Sequence, residues 1–195
     1  GKLFHNKYWV IVLVVNLLSC IIYGLASGAG VYYCKWIFGN DNLVALAGAL
    51  GFFATLVGFV VSKPIIAKLG VRKTIDFGVL GAAFTALIRC IIPTNFKVYI
   101  AVSVIGSFVQ IPLMCLYGVL LAMVIDYNEY TYYNKMVGVS SGAIGIGTKI
   151  GSGVGSVILT ACLALGAYNP DLEVATTSMR YAIYAFSNYL PLIIN

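Results

Sequence analysis

The sequence predicts an all-α membrane protein, and three observations carry that prediction. Hydrophobic residues make up 61% of the 195 residues, and charged residues make up only 9%. The mean hydropathy is +0.97, far above that of a soluble domain of this length. The apolar residues also occur in long runs, and a helix that spans a bilayer needs roughly 20 of them.

Six apolar runs are separated by short links that contain polar residues, Gly or Pro. These runs predict helices at about 8–34, 43–67, 74–92, 97–125, 138–167 and 176–195. We expect the last helix to be truncated, because the run "YAIYAFSNYLPLIIN" continues to the final residue without a polar flank.

Basic residues predict which side of the membrane each link occupies. The N-terminus and the links after the second and fourth helices contain Lys2, Lys7, Lys63, Lys68, Arg72, Lys73 and Lys135. The opposite links contain only Lys35, Lys97 and Arg180. Because positive residues concentrate on the cytoplasmic side, we expect a multi-pass protein of the cell membrane with a cytoplasmic N-terminus. The basic residues do not form one patch, which argues against nucleic-acid binding.

Polar side chains recur at helical spacing in two of the predicted helices. The first helix has Asn16, Ser19, Tyr23 and Ser27, and the fourth has Ser103, Ser107, Gln110, Met114 and Tyr117. Such faces are explained by hydrogen bonds between helices or by a shared hydrated cavity. On the second interpretation, the candidate substrate-binding residues on these helices are Asn16, Tyr23, Gln110, Met114 and Tyr117.

Lys149 is a charged residue near the middle of the predicted fifth helix. Its Cα lies about 16 Å from the helix start, at about 1.5 Å per residue. A lysine at that depth costs roughly 2.5 to 3.5 kcal/mol on insertion scales. The six carboxylates all fall at helix ends or in links. We therefore expect Lys149 to face a polar cavity closed by another part of the protein; the alternative is a structural lysine that snorkels.

Small residues and further charges complete the set of candidates. Gly147, Gly151 and Gly155 are spaced as a helix-packing ridge. Arg89, near a helix end, is expected to snorkel to the outer interface. The charges at the cytoplasmic side fit either a gating ion-pair network or solvated links; they are Asp126, Glu129, Lys135, Arg72 and Lys73.

No catalytic or metal-binding pattern is visible in the sequence. The five cysteines are scattered without a C-x-x-C pair, and His5 is the single histidine. The stretch "GIGTKIGSGVG" lacks the spacing of a phosphate-binding loop. We therefore expect neither an enzyme nor a bound metal or cofactor.

The segment "IDYNEYTYYNKMVGVSSGAIGIGTKIGSGVG" resembles the glycoside-pentoside-hexuronide:cation symporters, the sodium-melibiose permease group of the major facilitator superfamily. That group has Asp-Tyr-x-Glu, then a basic residue and a Gly or Ser, and a lysine twenty residues beyond the Glu. The counterparts here are Asp126, Tyr127, Glu129, Lys135, Gly138 and Lys149. The first helix, with Asn16 midway, is similar to the seventh helix of the group.

The resemblance implies that the chain is the six-helix C-terminal half of a twelve-helix transporter. Such a protein carries a sugar or glycoside together with Na⁺ or H⁺ by alternating access between two halves. It implies that Lys149 contacts the sugar or a carboxylate of the N-terminal half, which is also expected to contain the site of the coupling cation. The implied partners are thus the sugar, the cation, the N-terminal half and membrane lipid.

Three residues depart from the melibiose branch. Met123 replaces an Asp, Met114 replaces a Trp that contacts the sugar, and Val137 replaces an acidic residue. Melibiose is therefore not the expected substrate. Two other functions stay open: a lipid or amphiphile carrier of the same fold, and a non-transporting membrane scaffold or degenerate fragment.

Overall fold

The computed structural model describes residues 6–132, 137–170, 172 and 174–194. These residues form four long helices, α1 (Lys7–Trp36), α2 (Asn42–Ile91), α3 (Phe96–Tyr132) and α4 (Val137–Leu165). A C-terminal helical segment follows, made of α5 (Thr177–Tyr184), a π-helical turn (Ala185–Tyr189) and α6 (Leu190–Ile194). The described residues contain no β-strand, in agreement with the predicted all-α class.

Within the described ranges, α1 to α4 are each long and apolar enough to cross a membrane. Their outer surfaces expose large apolar side chains, among them Phe52 (62% exposed), Phe84 (63%) and Ile91 (75%). Apolar surface of this kind is unfavourable in water and favourable against lipid. The surface therefore agrees with a protein that is embedded in a bilayer.

Helix α2 consists of two antiparallel arms, residues 42–69 and 71–91, that meet at Gly70. Gly70 has φ 74° and ψ 170°, a conformation that only glycine adopts readily. Gly58 on the first arm packs against Ile111 of α3, and Gly81 on the second arm packs against Val109. Since both arms reach the same level of α3, the chain reverses direction at Gly70. The link predicted between the second and third helices is thus a break of one residue.

Helices α1 and α4 form the second closely packed pair. A Cβ atom built on Gly151 would lie 2.8 Å from the Leu17 carbonyl oxygen, and one built on Gly155 would overlap the Ile21 carbonyl. On Gly147 it would meet only Asn16 Oδ1, at an ordinary 3.9 Å. The structure therefore places all three ridge glycines toward α1, with the closest approach at Gly151 and Gly155.

The main apolar core lies where α1, α4 and the C-terminal segment meet. It contains Leu25, Ala29, Tyr33, Trp36, Leu159, Leu163, Met179, Ile183 and Phe186. Tyr33 also stacks on Tyr99 of α3 with ring centroids 4.7 Å apart, and its hydroxyl donates to the Pro93 carbonyl at 2.7 Å. These contacts fix the end of α1 to the α2–α3 link.

Candidate functional site

Lys149 lies in the middle of α4 with an exposed side chain. Residues two positions apart on an α-helix point about 200° apart, so Lys149 points away from Gly147, Gly151 and α1. Among the residues that the structure describes, no side chain hydrogen-bonds or ion-pairs with the Lys149 ammonium. This helix thus directs an unpaired charge away from the packed bundle.

Three hydroxyl residues continue from Lys149 along the same side of α4. Ser152 donates to the Lys149 carbonyl at 3.1 Å, Ser156 to the Ser152 carbonyl at 3.1 Å and Thr160 to the Ser156 carbonyl at 3.0 Å. Their protons are therefore satisfied within the helix, while the oxygens keep free lone pairs for an outside donor. We call Lys149, Ser152, Ser156 and Thr160 the lysine face.

Hydrogen bonds join α1 to the helices on either side of it. Thr148, next to Lys149, donates to Asn16 Oδ1 at 3.2 Å, and Ser19 shares a 2.6 Å hydrogen bond with the Tyr117 hydroxyl of α3. Two predicted substrate-binding residues, Asn16 and Tyr117, thus bond to neighbouring helices. Tyr23, further along α1, is 66% exposed.

Gln110, another predicted substrate-binding residue, lines a cavity of about 390 Å³ between α1, both arms of α2, α3 and the C-terminal segment. We call this the bundle cavity. Lys149 does not line it, and Met114, one turn further along α3, is 47% exposed. The structure therefore places Asn16 against Thr148 and Gly147, on the side of α4 that packs on α1, and places Gln110 in a separate cavity.

Arg89 is a site residue that sequence reasoning missed. Its Nη2 donates to Ser103 Oγ at 2.6 Å, and its guanidinium lies 5.1 Å from the centre of the Tyr99 ring. Ser103 lies about 10 Å from the start of α3, so Arg89 points into the bundle. The sequence had led us to expect that it would point toward the outer interface. The four-residue spacing of Thr85 and Arg89, both of which line the bundle cavity, was the signal available in the sequence.

Four of the residues predicted for gating, Asp126, Glu129, Arg72 and Lys73, lie at the end of the bundle that contains Gly70. Helix α3 runs past its predicted end at residue 125, because residues 126–132 contain no Gly or Pro. Asp126 and Glu129 are therefore exposed on its last turns. In the described part of the chain, neither Arg72 nor Lys73 forms a side-chain hydrogen bond or ion pair. Lys135 lies outside the described residues, and the gating network stays a prediction.

The described residues hold no group of three His, Cys, Asp or Glu side chains that could bind a metal ion. The five cysteines are unpaired.

Comparison with known proteins decides the family. The model of the family described as MFS/sugar transport protein matches residues 1–194. This chain belongs to that family. Together with the all-helical structure, the membership confirms the fold class and the sugar-symporter resemblance predicted from the sequence, and it identifies a multi-pass membrane protein of the transporter type.

This chain is similar to two bacterial proteins that are named as symporters. It is 21% identical to the inner membrane symporter YicJ of Escherichia coli (strain K12) over 194 residues, 98% of this chain and 42% of the relative. It is 26% identical to the uncharacterized symporter YjmB of Bacillus subtilis (strain 168) over 130 residues, 64% of this chain and 27% of the relative. The chain thus spans less than half the length of these relatives. No solved structure matches it.

Proposed function

We propose that this chain is one six-helix half of a symporter that carries a sugar or glycoside by alternating access. The family membership and the two relatives named as symporters support transport. The observation that carries the proposal is the exposed Lys149 in the middle of α4, on the side away from α1.

The cost of a membrane lysine explains why Lys149 implies a substrate path. Against lipid, its charge would cost roughly 2.5 to 3.5 kcal/mol. A water-filled path beside the lysine face removes most of that cost, because the ammonium keeps hydrogen-bonding partners. The ammonium has three donors and the adjacent hydroxyls offer acceptors. This combination suits the many hydroxyl groups of a sugar, or a sugar together with a carboxylate from the other half.

We place the carboxylates for the coupling cation, Na⁺ or H⁺, in the N-terminal half, which would close the path over the lysine face. The two halves would then rock about the substrate between inward-open and outward-open states. The distribution of basic residues supports a cytoplasmic N-terminus for this chain, and the transporter relatives support a role other than catalysis.

A lipid or amphiphile carrier of the same fold is the second candidate. The exposed apolar side chains of Met114 (47%) and Met123 (55%) favour it, because flexible methionines contact acyl chains well. The hydroxyls and the charge of the lysine face favour the sugar. A non-transporting scaffold or degenerate fragment is the third candidate, in which Lys149 would have no role.

Counterflow of labelled glycosides into proteoliposomes containing the full-length protein tests the proposal. We expect Lys149→Ala to lower exchange about 10- to 100-fold, the effect of losing a charge-assisted hydrogen bond. Lys97→Ala, which removes an exposed lysine beside the α2–α3 link, should match the wild type. Exchange of labelled phospholipid instead of glycoside would favour the lipid carrier, and equal activity of both variants would contradict a role for Lys149.

A further inference from the structure

The bundle cavity contains one charged side chain among the described residues that line it, that of Arg89. Of the five N–H donors of its guanidinium, Nη2 contributes one to the bond with Ser103. Nε is buried and has no hydrogen-bond partner, and in the described part of the chain no carboxylate pairs with Arg89. The guanidinium as a whole is partly buried and lies against the Tyr99 ring. A partly buried cation without a counter-ion favours an anion in the cavity beside it.

A second buried polar group in the same cavity also lacks a partner. Ser187 lines the cavity and is only 7% exposed, and its Oγ makes no hydrogen bond within the described structure. An orphaned buried hydroxyl is uncommon and calls for an explanation. Ser187 and Arg89 line the same cavity.

The π-helical turn of the C-terminal segment explains how Ser187 reaches this position. The turn buries Phe186, Ser187 and Asn188 together, a wider arc than three consecutive residues bury on a normal amphipathic helix. Asn188 Nδ2 contacts the Tyr33 hydroxyl and the Arg89 carbonyl, each at 3.4 Å. The turn is therefore fixed to both α1 and α2, as expected where a rare helical geometry serves a site.

Part of the remaining wall is small and apolar, and it includes Ile22, Ala26, Val31, Ala47 and Ala82. The rest of the wall adds polar and aromatic side chains, namely Ser27, Thr85, Tyr99, Ser103, Ser107, Gln110 and Phe186. The volume of about 390 Å³ is at the lower end of the range for small-molecule sites, about 300 to 1,000 Å³. The space thus combines one cationic end, hydroxyl and amide donors, and an apolar wall.

We propose that the bundle cavity binds a small monocarboxylate. Its carboxylate would accept hydrogen bonds from the Arg89 guanidinium and, after a change of the Ser187 side-chain rotamer, from Ser187 Oγ. Its apolar body would pack against the small-residue wall. The site is separate from the lysine face and does not rest on the proposed transport of a sugar.

Binding of radiolabelled benzoate to the purified full-length protein in phosphatidylcholine nanodiscs tests this site. We expect Arg89→Gln to weaken benzoate binding about 10- to 100-fold, because charge-assisted hydrogen bonds are lost. Arg180→Gln, which removes an exposed arginine of α5, should bind benzoate like the wild type. Benzamide has nearly the same shape without the charge and should not displace benzoate.

Two milder variants keep the test decisive if Arg89→Gln does not fold. Arg89→Lys retains the charge but loses the planar donor fork, and Ser187→Ala removes only the unbonded hydroxyl. Each should weaken benzoate binding by about tenfold or less. A wild-type protein that does not bind benzoate, displacement by benzamide, or unchanged binding in all the Arg89 and Ser187 variants would overturn the proposal.

Discussion

Two nearby glycines of α4, Gly151 and Gly153, differ in whether a larger side chain would fit, although the sequence shows them only as part of a Gly-rich run. A Cβ on Gly151 would lie 2.8 Å from both the Leu17 carbonyl oxygen and Cys20 Cβ. A Cβ on Gly153 would meet nothing within 4 Å. The contact between α1 and α4 therefore depends on Gly151 and not on Gly153.

This difference gives a matched pair of substitutions. We expect Gly151→Ala to destabilise the folded protein by about 1 to 3 kcal/mol, because the extra methyl group forces α1 and α4 apart. Gly153→Ala should be neutral or slightly stabilising, since alanine favours a helix by roughly 0.5 to 1 kcal/mol. Denaturation of the full-length protein in detergent measures both, and equal effects would contradict the observed packing.

Lys149 and Arg89 show why some site residues could be predicted and others could not. The position of Lys149 within a long apolar run is a local property, and the sequence was enough to single it out. The role of Arg89 depends on Ser103 and Tyr99 of another helix. A side chain near a helix end can either snorkel outward or turn inward, and only the packing of α2 on α3 decides between them.

Among the helices, α2 differs most from its prediction. Composition predicted two helices and a basic link, because "SKPIIAKLGVRKT" interrupts the apolar runs. In the structure the helix continues through most of that link and reverses at Gly70 alone. Apolar periodicity locates membrane spans, but it does not show how many residues a reversal needs. The π-helical turn at Ala185–Tyr189 was equally invisible in the sequence.

The backbone conformation of Gly70 makes alanine unfavourable at this position, although there is room for a methyl group. We expect Gly70→Ala to destabilise the protein by about 1 to 3 kcal/mol, because a Cβ strains this backbone conformation even though nothing lies within 4 Å of it. Gly118→Ala on α3, also with nothing within 4 Å, should be tolerated. Thermal unfolding of the two purified variants makes the comparison; a Gly70→Ala protein as stable as Gly118→Ala would show that the reversal does not need glycine.

The described residues form the α1–α4 pair, against which the C-terminal segment packs, and the α2–α3 pair. The Ser19–Tyr117 hydrogen bond and the Tyr33–Tyr99 stack join the two pairs. Composition predicted the membrane class, and the Asp-Tyr-x-Glu to Lys spacing predicted the family, because both are properties of the chain alone. The pairing of the helices could not be predicted, since it depends on close approaches such as those at Gly24 and Gly81.

Two different surfaces of α4 stay uncovered in this arrangement. The lysine face is polar, whereas the adjacent surface is aliphatic and exposes Ile146 (62%), Ile150 (53%) and Val157 (68%). An aliphatic surface suits lipid, and a polar one suits water and a second half of the transporter. We therefore expect Lys149 to border an aqueous substrate path and its neighbour Ile150 to border lipid.

Thiol labelling tests this claim most directly. Lys149→Cys and Ile150→Cys are compared in a cysteine-free full-length protein, using a membrane-impermeant methanethiosulfonate reagent. We expect fast labelling at position 149, slowed by a saturating transported glycoside, and little labelling at position 150. Labelling at position 149 that is as slow as at position 150, or that the glycoside does not change, would contradict the account.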